Sequence, residues 1–289
     1  MIIDILWGPF LEFGFMRRAL VGCIAISVSA TPVGMFMILR RMSLTGDAMA
    51  HAILPGTAIA YLFTGLSLGA MTLGGLVAGL VVAMAAGLVA RRTQLREDTS
   101  LAAFYLISLA LGVMLLSVRG NNIDLFHVLF GNILALNNPS LFLLASIASV
   151  SILLLAIILR SLILECVDPA FLRSVSRTSP IAHYGFLVLM VINLVAGFHA
   201  LGTLMAVGIM ILPGAAAKFW ARSLQGMLGL GVLLSISGSY LGLLLSYYYD
   251  LPAGPAIILF LGTVYVMSVF FGSESGLLSR RIYRRHLAG

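Results

Sequence analysis

The stretch "LRRMSLTGDAMAHAILPGTAIAYL", residues 39–62, opens on the paired cations Arg40 and Arg41 and runs on as a nearly unbroken apolar segment. Only Asp47 and His51 interrupt it with ionisable groups. A basic pair followed at once by an apolar run is the signature of a cytoplasmic loop feeding a membrane-spanning helix. Within such a helix an acid and a histidine each cost several kcal/mol, roughly, unless they line a polar path or pair with each other. This one segment therefore predicts both a membrane fold and a reason for its polar interruption.

The rest of the chain follows the same pattern. Hydrophobic residues make up 61% of the 289 and charged residues only 9%, with a mean hydropathy of +1.11, whereas an average soluble domain is about 25% charged. Apolar runs recur at about residues 19–39, 45–63, 70–90, 99–117, 139–163, 182–200, 203–217, 224–247 and 254–272. The expectation is an all-α polytopic membrane protein with about nine transmembrane helices, eight being the alternative count.

The net charge of +7 invites a nucleic-acid reading. Its cations, however, sit between apolar runs: Arg40/Arg41, Arg91/Arg92/Arg96, Arg160/Arg173/Arg177, Lys218/Arg222 and Arg280/Arg281/Arg284/Arg285. Nine spans place all of these on the cytoplasmic side, so DNA and RNA binding are excluded. Arg17 and Arg18 then fall outside, and residues 1–16, with Trp7, Phe10, Phe13 and Phe15, read as an interfacial amphipathic segment. The sequence divides into that segment, a transmembrane body over 17–272 and a basic cytoplasmic tail over 273–289.

No signal-peptide pattern opens the chain, and Cys23 and Cys166 lack metal-ligand spacing. Gly75/Gly79, Ala83/Gly87 and Gly238/Gly242 carry the four-residue spacing that lets membrane helices pack closely. The stretch "NNIDLFHVLFGNILALNNP", 121–139, is too short and too polar to span and reads as a partial re-entrant helix on the outer side.

On a helix, Asp47 and His51 share one face with Cβ atoms about 5–6 Å apart. A carboxylate with a neutral imidazole suits a borderline divalent cation such as Zn²⁺, Mn²⁺ or Fe²⁺. Two ligands hold an ion weakly, as a passage requires. Gly46, Pro55 and Gly56 can break the helix and free backbone carbonyls to assist. Spacing alone leaves two other readings open: Asp47 as a helix cap with His51 as an interhelical hydrogen-bonder, and the pair as a proton relay.

Weaker metal candidates are His199, near the outer end of a span, and Asp124 with His127 in the outer partial helix. Asp250 reads as a loop cap, and Glu97-Asp98-Thr99 as a helix start whose acids complement the dipole.

The lone lysine, Lys218 in "GAAAKFW", does not fit GxxxxGK[ST], and HExxH and GxSxG are also missing. The chain is thus not an ATPase by P-loop chemistry, and a pump built from it draws on a separate motor. Glu165–Pro180, "ECVDPAFLRSVSRTSP", is the polar stretch suited to docking one: Asp168 caps and Pro169 starts a short helix, with Phe171 and Leu172 as apolar knobs and Arg173 and Arg177 as charges.

At these residues the chain resembles the permease subunits of bacterial ABC importers for zinc and manganese, the ZnuB/MntB/TroC-like family. Residues 39–62 look like the family's early segment through Arg40, Arg41, Met42, Gly46, Asp47, His51 and Gly56. "EDTSLAAFYLISLALGVMLLS", "LFGNILAL", "VGIMILPGAAAK" and "GPAIILFLGTVYVMSVFF" look like its later segments in order.

The resemblance covers about residues 17–272. It implies a non-catalytic permease in the bacterial inner membrane, paired with a second copy of itself. Two ATP-binding subunits lie beneath, and a periplasmic metal-binding protein delivers the ion. It also implies that Asp47 and His51 coordinate the transported ion, zinc favoured and manganese next, with no permanently bound cofactor and with ATP on the partner subunit. Asp168, Pro169, Phe171, Leu172 and Arg173 match its ATPase-coupling region. There the family reads an acid-Pro-x-aromatic-Ala-Arg run ending in Gly, whereas this chain has Leu172 for the alanine and no glycine. A proton-coupled secondary metal transporter is the alternative, and an intramembrane enzyme using the Asp and His as acid and base is a more distant rival.

Overall fold

A computed structural model describes residues 2–65, 67–117, 133–168, 171, 172, 174, 176 and 178–278. Its helices are α1 (Ile2–Glu12), α2 (Gly14–Leu39), α3 (Thr45–Ala52), α4 (Leu54–Thr64), α5 (Leu68–Arg92) and α6 (Glu97–Ser117). After a 3-10 turn at Ile133–Ala135 come α7 (Asn138–Val167), α8 (Ser179–Leu201), α9 (Thr203–Ala217), α10 (Leu224–Tyr249) and α11 (Ala253–Phe271). The all-helical membrane architecture read from the sequence is what the chain adopts.

Among the described residues, 7 helices are long and apolar enough to cross a membrane: α2, α5, α6, α7, α8, α10 and α11. The two other expected spans differ in form. The run 45–63 divides into α3 and α4 at Ile53, and the run 203–217 is the short α9 of 15 residues. At about 1.5 Å per residue α9 reaches roughly 22 Å, short of a hydrocarbon core of about 30 Å. It is joined to α8 by a single residue, Gly202, whose φ of 88° is open to glycine at no steric cost.

Burial ranks the helices. The buried share is 72% for α2 and α8 but 22% for α6 and α7, so the first two form the centre and the others the outer wall. Several buried polar side chains in the centre are satisfied across helices, since hydrocarbon offers no water to them. Ser235 Oγ donates to Ser27 Oγ at 2.8 Å, Thr31 Oγ1 to the Ile209 carbonyl at 3.1 Å, and Asn193 Nδ2 to Ser151 Oγ at 3.0 Å. The small-residue spacing on α10 has the expected effect: a Cβ added at Gly238 or Gly242 would strike Leu261 or the Ile257 backbone of α11.

α1 lies against α10. Phe10 is buried and its ring stacks 5.1 Å from that of Tyr240, whose hydroxyl donates to the Leu6 carbonyl at 2.8 Å. The cation Arg18 at the start of α2 is tied down by its Nε, which donates to the Leu136 carbonyl at 2.9 Å. At the opposite end of α2 the chain junctions that carry Arg40, Arg41, Arg91, Glu97, Glu165 and His183 converge around one cavity of about 330 Å³.

Candidate functional site

The segment that carries Asp47 and His51 is held at both ends by backbone geometry. α2 closes at Arg40, and the next residue, Arg41, takes a left-handed φ of 60°. The Arg41 amide donates to the Ile38 carbonyl at 3.2 Å and the Met42 amide to the Met37 carbonyl at 2.8 Å. This pair of bonds is a Schellman cap, with an arginine where glycine is usual. Met42 and Met37 are both buried, supplying the apolar contact that accompanies such caps.

The other end is set by Pro55. It lacks an N–H to donate back to the His51 carbonyl, so the helix breaks at Ile53 and restarts as α4. Ser108 Oγ of α6 donates to the nearby Ala52 carbonyl at 2.8 Å. Such side-chain rescue makes a broken helix tolerable at membrane depth. α4 then crosses α5 at paired glycines, where a Cβ on Gly56 would meet the Gly74 carbonyl and one on Gly74 the Gly56 carbonyl.

α3 buries Thr45, Gly46, Met49, Ala50 and Ala52. Asp47 is exposed and His51 partly so. The two share one helix at the i, i+4 spacing anticipated from the sequence, on the side turned away from the core of the chain. Asp47 is not the helix cap: the N-cap is Leu44, with no side-chain capping bond, and Asp47 lies inside the first turn. Its carboxylate opens onto a cavity of about 580 Å³ that Arg41, Thr45, Asp98, Thr99 and Tyr105 also line. Among the described residues no group of three or more His, Cys, Asp and Glu side chains could hold a metal ion. Among the described residues Asp47 and His51 thus stand as a pair with no third such side chain grouped with them.

The weaker candidates are not brought to α3 by anything described. Asp124 and His127 lie outside the described residues, and His199 belongs to α8 with a side chain outside that description. Asp250 caps α10 in a left-handed conformation with φ of 50°.

In the segment 165–180 Asp168 Oδ1 accepts from the Phe171 amide at 2.9 Å, the capping bond its identity suggests. Phe171 is 52% exposed and Leu172 is 3% exposed, so of the two apolar residues Phe171 is presented outward while Leu172 anchors the turn. Pro169, Arg173 and Arg177 lie outside the described residues.

Sequence reasoning passed over His183 and the role of Glu97. Arg40 Nη2 donates to Glu97 Oε2 at 3.1 Å and meets His183 Nδ1 at 3.0 Å, and the guanidinium stacks 4.8 Å from the Phe186 ring centroid. Arginine only donates, so Nδ1 accepts and the imidazole proton sits on Nε2, which is 3.6 Å from Glu97 Oε1. The reading of Glu97 as a dipole partner of its own helix is therefore incomplete, because it also joins α6 to α2 and α8. The one available signal was composition: His183 is an ionisable residue in the first two turns of an apolar helix.

Residues 12–272 match the ABC 3 transport family. The manganese transport system membrane protein MntC of Halalkalibacterium halodurans is 31% identical over 95% of this chain and 93% of its own. The chelated iron transport system membrane protein YfeD of Yersinia pestis is 29% identical over 98% of this chain and 93% of its own. Among solved structures, PsaBC from Streptococcus pneumoniae in complex with Fab superposes with a TM-score of 0.82 at 30% identity, covering 99% of this chain and 100% of that one. A match that starts in α1 and ends just beyond α11, with the broken α3–α4 segment inside it, leaves no part of the bundle unaccounted for: the chain belongs to the ABC 3 transport family.

Proposed function

We propose that this permease carries Mn²⁺ inward along a path lined by Asp47 and His51 of two copies of the chain. As a family member it is a multi-pass, non-catalytic membrane subunit of a bacterial ABC importer of divalent metal, and ATP is hydrolysed on a separate subunit. The observation that carries the finer reading is α3 itself: an acid and an imidazole share the side of a short helix turned away from the core of the chain, with no third ligand beside them among the described residues. A second copy presenting the same pair across a two-fold axis would supply up to four ligands, turning an incomplete pair into a usable transient site.

The family resemblance by itself favours zinc, with manganese next. Asp with His accepts zinc, manganese and iron with affinities set by geometry and supply, and the relatives named above for manganese and for chelated iron move the proposal to Mn²⁺. The segment 165–180 is proposed as the docking site for the ATPase, through Asp168, Pro169, Phe171, Leu172 and Arg173. Residues 1–16 are proposed to lie in the membrane interface, and a metal-binding protein on the outer side to deliver the ion.

The test is ATP-dependent uptake of radioactive Mn²⁺ by vesicles holding the permease with its ATPase and binding protein, with Zn²⁺ and Fe²⁺ as competitors. ATP-driven Mn²⁺ entry that outcompetes zinc is expected. Uptake driven by a proton gradient without ATP would favour the secondary-transporter reading and overturn this one, and uptake of zinc alone would overturn the choice of metal.

A further inference from the structure

The 330 Å³ cavity at the cytoplasmic junctions holds two buried groups of opposite charge that do not meet. Glu165, on the last turn of α7, is 3% exposed, and its Oε2 has no hydrogen-bond partner among the described residues. Arg40, at the end of α2, has a side chain 10% exposed, and its Nη1 is equally without a partner because Nη2 makes both the Glu97 and the His183 contacts. Both residues line the same cavity. A buried carboxylate or guanidinium edge left unpaired carries a desolvation cost that nothing offsets. An arrangement that joins them relieves that cost at Glu165 and transfers it to Glu97 and His183, so the two arrangements exchange one buried pairing for another.

We propose that Arg40 is an exchange hub: it holds Glu97 and His183 in the conformation seen here and takes Glu165 in a second one. The positions of these residues say what such an exchange would do. Glu165 lies within the helix that ends at Asp168, so its carboxylate travels with the segment proposed to meet the ATPase. Arg40 is the residue at which α2 closes, the Schellman cap that follows ties the Met42 amide to the Met37 carbonyl, and α3 begins at Thr45. A shift of α7 that brings Glu165 onto Arg40 is thereby passed to the helix bearing Asp47 and His51. Two discrete ion-pair arrangements, each satisfying part of one buried network, form the kind of two-state element that can couple distant sites. Arg40 and Glu165 are positioning residues in this scheme and touch no metal.

The inference rests on the transport reading, and its test separates the two. The full transporter, permease with its ATPase and binding protein, is reconstituted as wild type, Glu165→Gln, Glu165→Asp, Arg40→Gln and the Arg40→Gln/Glu165→Gln double variant. Mn²⁺ moved per ATP hydrolysed is measured together with thermal stability and assembly.

Glu165→Gln is expected to assemble, to melt no lower than wild type because it removes an unpaired buried charge, and to move about tenfold less metal per ATP. Glu165→Asp should restore most of that ratio, and the double variant should be no worse than Arg40→Gln alone. A wild-type ratio in Glu165→Gln, or losses that multiply in the double variant, would overturn the exchange. If Arg40→Gln does not assemble, the two Glu165 variants decide the matter alone. A wild-type complex that moves no Mn²⁺ with ATP overturns the transport reading instead, and the exchange with it.

Discussion

Arg41 occupies a backbone conformation that favours glycine, at the turn that launches α3. A left-handed residue with a Cβ costs roughly 1–2 kcal/mol, and strain of that kind gathers where a side chain must be aimed. Arg41 lines both the cavity holding Glu165 and the one holding Asp47, standing between the two. Arg41→Gly should therefore raise thermal stability in detergent, by up to about 1 kcal/mol, while lowering Mn²⁺ uptake. A drop in melting temperature would show that the arginine side chain stabilises the turn by more than its backbone strains it. Asp47 makes the complementary case, because its carboxylate supports no cap and no packing. Removing even an outer partner of a metal ligand costs about 10–100-fold in affinity. Asp47→Ala should cut uptake at least that far with assembly unchanged, and survival of uptake would remove Asp47 from the path.

At the scale of elements the decisive feature is the interruption between α3 and α4. Ser108 of α6 bonds the Ala52 carbonyl across helices, a contact worth about 0.6 kcal/mol on average in membrane proteins and up to about 1.7. Ser108→Ala is expected to lower stability by that amount in a denaturation series, whereas Gly56→Leu, which must push apart the α4–α5 backbones, should prevent stable assembly. Normal yield and melting of Gly56→Leu would mean that the crossing is loose. The interruption was legible in advance because Pro55 and Gly56 act on their own neighbours. The expected spans were legible for the same reason, since hydropathy sums over a local window. The Arg40 network was not: Glu97 lies 57 residues away and His183 143 residues away. Each alone reads as an ordinary loop charge or helix-start residue. Only the packing of α2, α6 and α8 at one end makes them partners, and no local pattern encodes that packing.

For the whole molecule the central question is how many chains make one path. A single chain offers one acid and one imidazole on α3, and among the described residues nothing completes the set. If two copies share the ion, loss of one Asp47 disables the common site; if each copy has its own path, it removes only half of the traffic. A tandem fusion of two permease units, one wild type and one Asp47→Ala, reconstituted with ATPase and binding protein, distinguishes these. The shared path predicts Mn²⁺ uptake close to that of the doubly substituted fusion, because two or three remaining ligands bind a borderline cation far more weakly than four. Independent paths predict about half of the wild-type rate, the arithmetic of two uncoupled and equivalent sites. Placing the substitution in the first and then in the second unit controls for asymmetry of the linker. A half-rate in both orders would assign a complete passage to each chain and require ligands beyond Asp47 and His51 within it.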